Sequence, residues 1–146
     1  MPDEATPNDV IYVAVVDDDA SVCRSFSRLL RAAGFQPVTY NSAEAFLEDL
    51  KRPRFDCLVL DVQLDGMSGL ELGCRLAAVR DFTPIIFITA HDDPQLREQA
   101  QASGCAGYFS KTEPAEVVLE SIRRAVGRGR GAGAHRVTDS SQNPPN

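Results

Sequence analysis

The sequence predicts an α/β fold: a flavodoxin-like (βα)5 doubly wound parallel sheet with strand order 2-1-3-4-5. Three observations carry this. Short, apolar, β-branched runs alternate with segments of helical periodicity. The runs are almost wholly apolar, as strands covered by helices on both faces must be. Ten such elements fit between residues 10 and 126, which leaves only short loops.

The elements follow in order. Ile11 to Val16 reads as a buried strand. Val22, Phe26, Leu29, Leu30 and Ala33 then recur at helical spacing, and Gly34 stands where a helix C-terminus favours glycine. Pro37 to Tyr40 reads as a second strand, and Ser42 caps a helix carrying Phe46, Leu47 and Leu50. Cys57 to Leu60 forms a third strand, followed by a loop through Gly66 and Gly69. Ser68 and Glu71 have the spacing of a capping box, opening a helix with Leu72, Leu76 and Val79 on one face. Pro84 to Thr89 is the fourth strand. Asp93 and Pro94 supply a cap and a first-turn proline for a helix with Leu96 and Ala100. Ala106 to Phe109 is the last strand, and Pro114 precedes a helix bearing Val118, Ile122 and Ala125. Residues 1–9 are expected to be a flexible N-terminus and 10–126 the domain. Residues 127–146, rich in Gly and Arg and then in Ser, Asn and Pro, are expected to be a disordered basic and polar tail.

Composition narrows the function classes. The 146 residues carry a net charge of −6, unevenly spread. Up to residue 122 there are ten basic against twenty acidic residues; beyond it, five arginines face Asp139 alone. An acidic body argues against broad nucleic-acid binding through its surface. Apolar runs are too short to span a bilayer, and the start Met-Pro-Asp-Glu lacks the positive region of a secretory signal. A cytoplasmic protein with no membrane association is expected. Cys23, Cys57, Cys74 and Cys105 are widely spaced, which excludes a recognisable zinc motif and disfavours a disulfide scaffold. They are read as small apolar packing groups.

In an open parallel sheet, ligands bind beyond the carboxyl ends of the strands. Strand one ends in Asp17, Asp18 and Asp19, strand three in Asp61, strand four in Thr89 and Ala90, and strand five runs into Ser110 and Lys111. Such a run of aspartates alone is usually a solvated helix cap. Following an apolar strand, with the other groups at neighbouring strand ends, it points to chemistry. Clustered carboxylates repel unless a cation offsets them. A hard divalent ion would do so, and Mg²⁺ or Mn²⁺ with a few carboxylates and a phosphate oxygen suits phosphoryl chemistry. Asp61 then reads as the nucleophile, Lys111 as the phosphate cation and Thr89 as a hydroxyl donor.

These residues resemble a response-regulator receiver domain of two-component signalling, over roughly residues 10 to 126. The resemblance rests on Val16 to Asp19, Val59 to Val62, Gly66 to Glu71, Ile88 to Ala90, and Tyr108 three residues before Lys111. It is similar above all to receivers of LuxR-type, FixJ-like regulators. It implies Asp61 as the phosphorylated aspartate, with Thr89 and Lys111 assisting. Asp17, Asp18, Asp61 and the main-chain carbonyl of Gln63 would hold Mg²⁺ (or Mn²⁺). Thr89 and Tyr108 would form the switch, the ring turning inward on phosphorylation. Gln63, Asp65, Ala90 and His91 would border the site.

Two departures stand out: Asp65 occupies the position where the family usually has proline, and Thr112 follows Lys111 where proline is common. The implied partners are a sensor histidine kinase or histidine phosphotransfer protein. Downstream, a protein partner or a second copy would bind the face of the helix after Thr89, the last strand and the final helix. DNA contact is expected only if an output domain lies outside this sequence. The chain would be a phosphoacceptor switch rather than an enzyme, with self-catalysed transfer and slow autodephosphorylation. Two other readings are open to test. A phosphohydrolase with an aspartyl nucleophile is disfavoured by Gln63 where a second acid is needed. A degenerate, partner-binding receiver is disfavoured by the intact Asp61, Thr89 and Lys111.

Overall fold

Five short runs form strands in the structure, a computed structural model that describes residues 10–139. They are β1 (Tyr12–Val16), β2 (Gln36–Tyr40), β3 (Cys57–Asp61), β4 (Ile85–Thr89) and β5 (Gly107–Ser110). The helices α1 (Ala20–Ala32), α2 (Ala43–Glu48), α3 (Gly69–Ala78), α4 (Pro94–Ala102) and α5 (Ala115–Asp139) alternate with them. All pairings are parallel, in the order β2-β1-β3-β4-β5, as expected.

Alternation along each strand divides the core into two layers. Ala14, Val16, Leu58, Leu60, Phe87 and Tyr108 face one side, where Phe46, Leu72, Leu76 and Ala100 bring in α2, α3 and α4. Val13, Val15, Val59, Ile86 and Ile88 face the other, packed by Leu30 of α1 and by Val118, Ile122 and Ala125 of α5. A parallel sheet sandwiched in this way holds its strands rigidly and sends all five carboxyl ends to one rim.

Local signals set the helix starts. Asp19, Ser42, Ser68 and Asp93 each accept a backbone N–H from the first turn of α1, α2, α3 and α4. At the end of α1, Gly34 takes φ +93°, a conformation that a side chain would strain.

Two expectations require correction. α2 stops at Glu48, so Leu50 lies beyond it and is 89% exposed. α3 ends at Ala78, and Val79, at its C-cap, is 71% exposed rather than part of the apolar face. α5 itself runs on past residue 126, so its later turns lie in the segment 127–146 expected to be a tail. The Arg130 guanidinium grips Asp56 through Nε and Nη2 (3.0 and 2.9 Å), and Nη2 also donates to the Val10 carbonyl at 2.9 Å. That anchor ties the helix to the amino end of the sheet and outweighs the low helix propensity of Gly127 and Gly129. The expectations for residues 1–9 and 140–146 lie outside the described residues. Among the described residues, no helix is long and apolar enough to cross a membrane.

Candidate functional site

The site lies along the rim at the carboxyl ends of the strands. A groove of about 860 Å³, lined in part by Phe55, Asp56, Thr83, Pro84 and Ala106, opens at the amino ends of the strands instead. At the carboxyl ends, β1 and β3 lie side by side with Val16 opposite Leu60, so the residues that follow them meet.

The aspartate run divides into three environments. Asp17 is fully buried and Asp18 is exposed. Asp19 is the cap of α1, accepting the Ser21 N–H at 2.9 Å, so for this residue the ordinary helix-cap reading holds. Asp17 is braced twice: its Oδ1 accepts the Asp19 N–H at 2.8 Å, and the Cys23 thiol donates to its carbonyl at 3.3 Å. Asp61 ends β3 and is also buried; its Oδ1 accepts the Gln63 N–H at 3.0 Å.

Lys111 reaches across from the end of β5. Its Nζ lies 2.9 Å from Asp61 Oδ2 and 2.9 Å from Asp17 Oδ2. The contact to Asp61 is a well-formed hydrogen bond. The contact to Asp17 is an ion pair without hydrogen-bond geometry, so that buried oxygen keeps accepting capacity. Burial raises the pKa of Asp61 most; the Lys111 ammonium opposes the shift and the Asp17 charge adds to it. Burial works against the charge on Lys111, but the two carboxylates overcome it and raise its pKa.

Asp17, Asp18 and Asp61 each offer an oxygen, all within 4.8 Å of one another. Three carboxylates against one ammonium leave an excess of two negative charges. With a buried, under-used Asp17 oxygen among them, the set suits a hard divalent cation.

The remaining expected residues are placed less uniformly. Thr89 is buried at the end of β4, but its hydroxyl donates to the His91 carbonyl (2.8 Å) and accepts the His91 N–H (3.1 Å), within its own loop. Gln63, Asp65, Ala90 and His91 are exposed along the rim. The Asp65 N–H points to Asp18 Oδ2 at 3.4 Å, a contact that proline could not make. The Lys111–Thr112 peptide is trans. Tyr108 is already turned inward, only 7% exposed, with its buried hydroxyl unpartnered. Arg97 of α4 covers the ring at 4.7 Å from its centroid and forms a two-point ion pair with Asp92.

Sequence reasoning overlooked Arg97, which shows no pattern beyond a polar helix face, and Glu44, whose carboxylate accepts the Met67 N–H at 2.8 Å. It saw Gly69 only as a loop glycine. A Cβ there would collide with the Asp61 carbonyl, so α3 can start this close to the site only on a bare Cα. Gly69→Ala is expected to cost about 1–3 kcal/mol through overpacking and to displace Asp61; urea unfolding and the Asp61 amide shift check both.

Fold and site together define a class. Residues 13–123 match the family model described as the response regulator receiver domain, and the chain belongs to that family. It is 38% identical over 117 residues to the response regulator protein TmoT of Ectopseudomonas mendocina, covering 80% of this chain and 52% of that protein. It is 33% identical to the transcriptional regulatory protein FixJ of Bradyrhizobium diazoefficiens, covering 79% of this chain and 56% of that protein. Among solved structures, a response regulator receiver protein from Burkholderia phymatum superimposes with a TM-score of 0.71 at 42% identity, covering 80% of this chain and 95% of that one. The chain spans about half the length of the curated relatives it matches.

Proposed function

We propose that this receiver accepts a phosphoryl group on Asp61 from a sensor histidine kinase or a histidine phosphotransfer protein, in a reaction that requires Mg²⁺ or Mn²⁺. The P–N bond of the donor phosphohistidine breaks, and a P–O bond to an Asp61 carboxylate oxygen forms. The supporting observation is the Lys111 ammonium set 2.9 Å from both Asp17 and Asp61, with Asp18 completing the acidic cluster.

Asp17, Asp18, Asp61 and the Gln63 carbonyl would hold the ion, which when bound offsets charge on the phosphoryl oxygens. Lys111, already shared between two acids, can follow Asp61 and neutralise an oxygen of the new acyl phosphate. Thr89 would give up its bond to the His91 carbonyl to donate to another. That movement pulls on the loop holding His91 and Asp92, and through Asp92 on Arg97 above Tyr108. The α4-β5-α5 face would then change and engage a protein partner or a second copy of the chain. Slow autodephosphorylation would pass the rim residues Gln63 and His91. A cytoplasmic setting suits such a phosphorelay, and DNA contact would need an output domain outside this sequence.

Incubation with acetyl phosphate and Mg²⁺ should raise the intact mass by one phosphoryl group. EDTA, or Asp18→Ala in a protein that still folds, should abolish the gain. Undiminished labelling in both cases would sink the metal-dependent reading.

A further inference from the structure

The loop between β3 and α3 carries the groups that crowd the acidic cluster, and it is tied down in three places. At its start, the Gln63 N–H is bonded to Asp61 Oδ1 at 3.0 Å. At its end, the Gly69 N–H is bonded to the Val62 carbonyl at 3.1 Å. Its middle, Asp65 to Met67, is held from outside by a side chain of α2. Glu44 Oε2 accepts the Met67 N–H at 2.8 Å. The same oxygen lies over the bare Cα of Gly66, only 2.7 Å from where a Cβ would stand, and Gly66 takes φ +77°. One residue earlier, the Asp65 N–H faces Asp18 Oδ2. A continuous path therefore runs from Glu44 through Met67, Gly66 and Asp65 to Asp18.

We propose that Glu44 is a positioning residue for the acidic cluster: its carboxylate clamps the β3–α3 loop and so sets where the Asp65 N–H meets Asp18. The inference rests on the metal-dependent reading of the site given above. Two features support a positioning role over incidental contact. Residue 65 is not proline here, so the loop lacks a built-in rigid φ and must take its shape from contacts. The glycine at 66 leaves the space that the carboxylate fills; a side chain there would push Glu44 away. The Met67 N–H is also the largest cause of the lowered Glu44 pKa, so the clamp favours the ionised acceptor.

The test compares wild type, Glu44→Gln and Glu44→Ala as full chains, with thermal unfolding to establish that all three fold. Amide hydrogen exchange at Asp65 and Met67 is measured without metal, and Mg²⁺ affinity by isothermal titration. Glu44→Ala should speed exchange at Met67 and weaken Mg²⁺ binding about tenfold, the lower range for loss of a supporting partner. Glu44→Gln keeps an acceptor oxygen and should stay near wild type in both. Unchanged exchange in Glu44→Ala would overturn the clamp. Faster exchange with unchanged affinity would reduce Glu44 to a structural contact and overturn the positioning role. An equal loss in Glu44→Gln would assign the effect to charge and overturn it as well. A wild type that binds no Mg²⁺ would instead refute the metal-dependent reading, and this inference with it.

Discussion

Asp61→Asn is expected to abolish phosphoryl uptake completely and, in the same protein, to raise the thermal stability of the metal-free domain at neutral pH. An amide cannot form an acyl phosphate, so the first effect follows from chemistry alone. The second follows from linkage. Burial, together with the Asp17 charge, holds the Asp61 pKa above its ordinary value despite Lys111 and the Gln63 N–H. A carboxyl whose folded pKa is raised keeps its proton in the folded chain at a pH where the unfolded chain has lost it. Its ionisation therefore costs stability, fully above the folded pKa and progressively less as pH falls toward the unfolded value. Asparagine removes that cost and leaves Asp17 paired one-to-one with Lys111. Differential scanning calorimetry in EDTA should show a higher Tm than wild type at pH 7, the gap narrowing on acidification. A lower Tm, or labelling equal to wild type, would contradict the assignment.

Lys111→Met has the opposite signature. It leaves two buried carboxylates facing each other with no ammonium between them, and stripping one partner from a buried ion pair costs about 3–5 kcal/mol. The lysine side chain is 19% exposed, so the loss should fall at the lower end of that range. Proton uptake by one of the acids would relieve part of it, so the urea midpoint in EDTA should fall less on the acid side. Mg²⁺ should restore stability more in this variant than in wild type, because no ammonium competes for the same oxygens. Phosphoryl transfer from acetyl phosphate should slow by about 10²–10³, as for loss of one preorganised charge. A urea midpoint in EDTA equal to that of wild type would mean that Lys111 does not hold the two acids together.

The topology was legible in the sequence, and so was the meeting of Asp17, Asp61, Thr89 and Lys111 at one rim. Strands such as Val13 to Val16 and Leu58 to Leu60 are apolar on both faces, and helical spacing between them leaves little choice but a doubly wound sheet. Once all strands are parallel, every residue just past a strand end shares one rim, whatever lies between them in sequence. The caps Asp19, Ser42, Ser68 and Asp93 were legible for a simpler reason: a cap acts over two or three residues.

Hydrophobic pattern alone could not decide where α5 ends. Glycines at 127 and 129 weaken a helix locally, but the bond from Arg130 to Asp56 spans 74 residues and depends on where the amino end of β3 sits. Leu50 and Val79 continue the apolar spacing of α2 and α3 yet fall outside both helices and into solvent. Periodicity marks a face but not where the helix stops.

What the sequence by itself determined, then, is the set of strand-end groups and the rim they share. Tertiary structure alone decided how those groups are held: Lys111 bridging to Asp61 across 50 residues, Glu44 reaching Met67 across 23, Thr89 bonded to its own loop, and Tyr108 already inward beneath Arg97. The physical reason is one of range. Periodicity, capping and strand topology are properties of neighbouring residues or of chain direction. A hydrogen bond of 2.8 Å between distant side chains depends instead on the rotation and end-point of each helix, and those emerge only when the two core layers pack.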